Sequence, residues 1–181
     1  MSVLFTIAIV ALLAVLVILA LASGKPDTFR VERRATIAAP METVFAQIND
    51  LVAWQGWSPW AKKDPQAKAE FTGTTSGQGA AFAWDGNKDV GKGRMTIIES
   101  EPHERVKFRL DFEKPFKGTN EAVFALAPAP SGRTEVTWTM TGEATLVTKT
   151  MDLLMNMDRM VGRDFEAGLA DMKRICERRA A

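Results

Sequence analysis

Residues 147–178 read VTKTMDLLMNMDRMVGRDFEAGLADMKRICER, and their spacing decides the architecture. Leu154, Met157, Met160, Val161, Phe165, Leu169, Met172 and Ile175 recur three or four positions apart, which lays them in one stripe of an α-helix. Asp158, Arg159, Arg163, Asp164, Asp171, Lys173 and Arg174 fall largely off that stripe. The spacing predicts one continuous helix of about eight turns, long enough to cross a whole sheet. Gly162 and Gly168 weaken it locally, and one of them is expected to bend it or to admit a close neighbour. Such a stripe needs an apolar surface to cover.

The strands upstream supply one. Val106, Phe108, Leu110 and Phe112 alternate with Lys107, Arg109, Asp111 and Glu113, a clean period of two. Ala122, Phe124 and Leu126 repeat the scheme, and Val136, Trp138 and Met140 oppose Glu135, Thr137 and Thr139. Phe29 to Ala38 alternates likewise. Shorter runs stand at Lys68–Thr72 and Ala80–Trp84, divided by the glycine-rich Gly73–Gly79. Gly86-Asn87 and Gly91-Lys92-Gly93 carry turn chemistry. Pro40 opens one short helix, on which Val44, Phe45 and Ile48 share a face. One apolar and one polar face per strand means an antiparallel sheet covered on a single side.

The other strong signal is the run Val3–Ala22, with Thr6 its only polar member and no charge. A helix of that length spans about 30 Å, the thickness of a bilayer's hydrocarbon core. An uncleaved transmembrane anchor is the favoured reading, because the run exceeds the apolar core of a signal peptide and no Lys or Arg precedes it. Ala20-Leu21-Ala22 satisfies a cleavage pattern, so a signal peptide is the rival. Lys25, Arg30, Arg33 and Arg34 follow the span, and positive flanks stay cytoplasmic. The expectation is a single-pass protein with its domain in the cytoplasm. The division is then an anchor over 1–22, a linker over 23–27 and a domain over 28–178. Residues 23–27 reach at most about 17 Å when extended, which holds the domain against the bilayer. Arg33 and Arg34 read either as headgroup contacts or as solvated strand charges.

Composition narrows the function. The chain has 181 residues, 23 basic and 22 acidic side chains and a net charge of +1, so no field points to nucleic acid. A lone cysteine, Cys176, excludes an intramolecular disulfide and a multi-cysteine zinc site. The only histidine, His103, follows Pro102 in an expected turn, and there is no tyrosine. Gly56-Trp57-Ser58-Pro59-Trp60 lacks the second glycine of a nucleophile elbow. Gly77-Gln78-Gly79 and Gly91-Lys92-Gly93 lack the rest of a phosphate loop. The remaining ionisable candidates, Glu99, Lys114, Asp158 and Asp164, read as solvated charge. No catalytic residue, metal site or cofactor is expected.

The order of short helix, antiparallel strands and long terminal helix resembles the helix-grip fold, an α+β architecture in which a curved antiparallel sheet wraps a long C-terminal helix. The chain looks like the SRPBCC superfamily, which includes START lipid-transfer domains and birch-pollen-allergen-like proteins, and within it like the bacterial polyketide cyclase/dehydrase-like branch. The residues that carry the resemblance are Ala39-Pro40 with Val44-Phe45, Trp54 with Trp57-Ser58-Pro59-Trp60, Gly86-Asn87-Lys88 and Val90-Gly91. They continue through Gly93-Arg94-Met95, Lys114-Pro115-Phe116 and Asp158–Leu169.

The resemblance implies a cavity between sheet and helix. Its candidate lining is Phe82, Trp84, Met95, Ile97, Phe108, Leu110, Phe124, Trp138, Met140, Met157, Met160, Val161 and Phe165. Met151, Met155, Met157, Met160 and Met172 would make an adaptable wall. The competing reading packs these residues as a solid core. Trp54, Trp57 and Trp60 are either a gate or interfacial belt at the pocket mouth, or plugs at one end of the sheet. Three functions follow: a binding module for an apolar molecule or lipid, a polyketide cyclase/dehydrase-like enzyme, and a protein-interaction module like the Hsp90-ATPase-activator-like domains. The first leads, because it needs only the pocket and a membrane to draw from. A bacterial inner membrane is the expected location, with an apolar ligand as partner.

Overall fold

In the computed structural model, which describes residues 3–180, the alternating segments join into a seven-stranded antiparallel sheet. The strands are β1 (Thr28–Ile37), β2 (Lys68–Thr72), β3 (Ala81–Asp85), β4 (Lys92–Glu101), β5 (Arg105–Lys114), β6 (Gly118–Ala129) and β7 (Arg133–Glu143). Their order is β1-β7-β6-β5-β4-β3-β2, so five consecutive hairpin links run from β2 to β7 and only β1 crosses over. Odd-numbered residues of β1 and even-numbered residues of β5 to β7 face inward, as the alternation requires.

The helices are α1 (Val3–Ser23), α2 (Met41–Asn49), α3 (Leu51–Gln55), α4 (Pro59–Lys63), α5 (Leu146–Met155) and α6 (Met157–Ala180). Two of them correct the sequence reading, which had a single short helix after β1. Asp50 caps α3 by accepting from Val52 N and Ala53 N, and Ser58 caps α4 with Pro59 in its first turn. The helical stripe over 147–178 is corrected too. It breaks at Asn156, whose φ of 52° is left-handed. That residue ends α5, and its side chain accepts from Arg159 N at 2.9 Å to start α6. Gly162 and Gly168 both lie within the unbroken α6. They admit close neighbours, the Arg33 guanidinium lying where a Gly162 Cβ would stand, and Pro59 and Trp138 each 3.1 Å from a Gly168 Cβ.

Helix α6 covers the inward face with Phe165, Leu169, Met172 and Cys176, all buried. Two ionic flanks hold it there. On one side Arg33 of β1 bonds Glu166 at 2.7 Å and Asp158 at 3.1 Å; on the other Lys63 of α4 bonds Asp164 at 2.6 Å and Lys62 pairs with Asp171. Asp158 and Asp164, expected as plain solvated charge, are therefore clamps. Arg33 is likewise neither a headgroup contact nor a free strand charge. It is an inward-facing cation that needs anions, and α6 brings them.

Helix α1 stands apart from the sheet, its apolar side chains exposed along nearly its whole length. It is the one helix among the described residues long and apolar enough to cross a membrane.

Candidate ligand-binding site

Register sorts the inward residues into rows across the sheet. At the end far from α1, Val106, Phe124 and Trp138 stand side by side, and the next row runs Ile97, Phe108, Ala122, Met140 and Val31. Trp138 stacks on Phe165 with ring centroids 3.9 Å apart and on Phe124 at 4.6 Å. Trp54 and Trp57 meet its edges at 5.8 Å each, and Trp54 also touches Phe108 at 5.2 Å. This half of the grip is solid. Phe108, Phe124, Trp138, Phe165 and Ile97 pack against other side chains there, and Met95, buried one row nearer α1, closes against the same cluster.

Trp54 and Trp57 are buried plugs, not a gate; Trp57 Nε1 donates to Gln47 O at 2.9 Å, satisfying a carbonyl in the last turn of α2. Trp60 is half-buried at the boundary, edge-on to Trp138. Trp138 Nε1 is buried with no hydrogen-bond partner among the described residues.

The end nearest α1 differs. Its rows are Met95, Leu110, Asn120, Gly142 and Phe29, then Trp84, Gly93, Phe112 and Gly118. Three of these are glycines, and neighbouring side chains lie across two of them, Gly93 and Gly142. A Cβ at Gly93 would sit 2.6 Å from the Trp84 ring and 2.5 Å from the Asp111 carbonyl, and one at Gly142 would strike Asn120 and come within 2.7 Å of Phe29. Phe29, Trp84, Leu110, Phe112, Asn120, Met157 and Val161 are only half-buried although they face inward or flank the grip. The result is an apolar trough with one amide side chain on its floor. Sequence reasoning named Trp84, Leu110, Met157 and Val161 for the lining and missed Phe29, Phe112 and Asn120, although all three sit in phase with the inward alternation.

Met160 is misplaced by the sequence reading. It precedes Phe165 by five positions, about 140° around the helix, and is exposed. With Met155, Arg159, Arg163 and Asp164 it lines an open depression of about 540 Å³ on the outside of the α5–α6 elbow. Neither this depression nor a smaller one lined by Gly56, Lys62, Asp171, Arg174, Ile175 and Arg178 includes a strand residue, so neither lies between sheet and α6.

The electrostatics are those of ion pairs. Arg33 has its guanidinium pKa pushed up by the hydrogen bonds it donates to the carboxylates of Asp158 and Glu166. Asp27 and Asp152 are held below the usual carboxylate range, chiefly by hydrogen bonds from Lys149 and Lys25. Burial pushes the Cys176 thiol up to about 11. Glu99 pairs with Arg105 at 2.5 Å. His103 occupies the β4–β5 turn with φ 65°, its ring 5.5 Å from Phe45. Among the described residues no cluster of three or more His, Cys, Asp or Glu could hold a metal.

The family model for polyketide cyclase / dehydrase and lipid transport matches residues 28–177. Among solved structures, jhp0584 from Helicobacter pylori is similar with a TM-score of 0.62 at 13% identity, over 84% of this chain and 90% of that one. Protein CV1439 from Chromobacterium violaceum gives 0.58 at 17% identity, over 84% and 99%. The Aha1 dimer from Colwellia psychrerythraea gives 0.57 at 16%, over 82% and 96%. No curated protein matches the sequence. At such identities the structures speak for the fold alone.

Proposed function

This chain belongs to the polyketide cyclase / dehydrase and lipid transport family, and from that premise we propose that it is a membrane-anchored binding module for a hydrophobic small molecule or lipid. The site is the apolar trough at the α1 end of the grip, with Trp84, Leu110, Phe112, Phe29, Met157 and Val161 as walls. Asn120 supplies a donor and an acceptor to orient a polar head. Helix α1 spans the bacterial inner membrane once, and the positive residues after it keep the domain in the cytoplasm. The aromatic half of the grip is structural, a rigid stop beyond which a ligand does not pass.

The observation that carries this reading is where the half-buried apolar row lies. Phe29 is two residues from Asp27, at the corner where the chain leaves α1, so the unsealed part of the interior is also the part nearest the proposed anchor. A molecule drawn from lipid would exchange one apolar surrounding for another without crossing water.

The test is native mass spectrometry of the full-length protein released from nanodiscs, with bound molecules extracted and identified. A stoichiometric apolar adduct is expected. Leu110→Arg, half-buried on the trough, should lose the adduct while keeping its melting temperature within a few degrees. Absence of any adduct from several expression hosts would overturn the reading, and so would an adduct that Leu110→Arg retains.

A further inference from the structure

Helix α5 is amphipathic in the wrong sense for a soluble domain. Thr148, Lys149 and Asp152 occupy one arc, and this polar arc is the side turned to the protein: Lys149 is buried with its ammonium 2.6 Å from Asp27, and Asp152 pairs with Lys25. The remaining arc holds Leu146, Val147, Leu153, Leu154 and Met155, all exposed, with Thr150 and Met151 partly buried among them. A water-facing helix of this pattern would normally roll over to bury that arc. Here both ends of the linker hold it the other way up.

Its position is fixed by the sheet. Thr28 of β1 pairs with Glu143 of β7, and Ala144 N donates to Asp27 O at 2.7 Å. Helix α5 therefore starts beside the last residues before β1, a few residues from the end of α1, and it packs against α1. The exposed apolar arc and the exposed apolar side chains of α1 thus belong to two helices in contact. Just beyond α5, Arg159 and Arg163 flank the elbow depression and make no ion pair among the described residues. Cations bordering an apolar arc are what an interface between acyl chains and anionic headgroups selects.

We infer that α5 is an in-plane interfacial helix. Its Leu146–Met155 face is sunk among the acyl chains at the membrane surface, and Arg159 and Arg163 sit at the level of anionic phospholipid headgroups. The inference rests on the anchor reading of α1 and deepens it: the domain meets lipid at two elements, and the second fixes its orientation.

Depth-dependent quenching on the full chain tests it. Single cysteines at Val147, Leu154 and, on the far side of the domain, Ser131 are placed in a Cys176→Ala background and labelled with an environment-sensitive fluorophore. A fourth label at Val10 reports the anchor. The protein is reconstituted in phosphatidylcholine vesicles, with and without phosphatidylglycerol, carrying doxyl quenchers near the glycerol backbone or near the tail ends. The labels at 147 and 154 should shift to the blue and lose most of their emission to the shallow quencher, while that at 131 stays unchanged. Val10 should respond to the deep quencher. Silence at 147 and 154 with quenching at 10 overturns the interfacial helix but leaves the anchor standing; silence at 10 overturns the anchor itself. Arg159→Gln with Arg163→Gln should abolish any gain in shallow quenching from phosphatidylglycerol, and a gain that survives the double substitution overturns the headgroup assignment.

Discussion

Three residues show how differently one substitution can act in this interior. Trp57 and Trp138 are neighbouring buried indoles, but only the first has a hydrogen-bond acceptor. Trp57→Phe strands the Gln47 carbonyl, whereas Trp138→Phe removes a donor that was already unsatisfied. Trp57→Phe should therefore be the more damaging by about 1–3 kcal/mol, measured by urea unfolding. Gly162→Ala gains about 1 kcal/mol of helix propensity, yet its methyl takes the place of the Arg33 guanidinium. Displacing that clamp and crowding the helix against β1 should leave a net loss of about 1–2 kcal/mol in the same assay. Cys176, buried with its thiol pKa raised to about 11, should resist thiol reagents at neutral pH until the domain unfolds. Because the folded state holds its proton more tightly, its contribution to stability is present below the ordinary thiol pKa of 9.0 and falls as pH rises from there toward 11.

Elements were legible where one period dominated. Strands β5, β6 and β7 could be read residue by residue from their alternation, and so could the covering stripe of α6. The boundary between α5 and α6 could not. The apolar spacing runs on through Asn156, and only its type, favoured at left-handed C-caps, hinted at a stop. Short helices α3 and α4 were hidden because the three tryptophans dominate that stretch, while the signals that form the helices are single caps, Asp50 and Ser58. Asn156→Ala should loosen the elbow by about 1–2 kcal/mol, combining left-handed strain with loss of the α6 cap; hydrogen exchange should rise first at the N-terminus of α6. The contact between α5 and the linker depends on pH. Asp27 and Asp152 have depressed pKa values, so their contribution is complete above the ordinary carboxylate value of 3.8 and is lost as pH falls below it. Acidification through that range should speed exchange in α5 before the sheet responds.

At the scale of the whole molecule, sequence order and patterning were enough for the fold but not for its interior. Alternation tells which side chains point inward and is silent on how much of the space they take. Here Trp54, Trp57, Trp138 and Phe165 close one half, while the inward side chains of the other, around glycines 93, 118 and 142, stay half-buried, a contrast that depends on cross-strand register. Of the cavity implied by the family resemblance and the competing solid core, the aromatic half matches the solid core, and only the half nearest α1 keeps its inward side chains partly exposed. Trp138→Ala should therefore destabilise the domain by about 3–5 kcal/mol in denaturant titration, the range for opening a void in a packed core. The pairing of Thr28 with Glu143 at the anchored corner has one more effect. A strand of ten residues is about 33 Å long, so β1 carries the chain from that corner to the opposite end of the sheet. The turn at Pro130–Arg133 and the helix N-terminus at Pro40 therefore stand at the end away from α1. On the anchoring proposed for α1, those far loops are the part of the domain turned away from lipid and free to meet a dissolved partner.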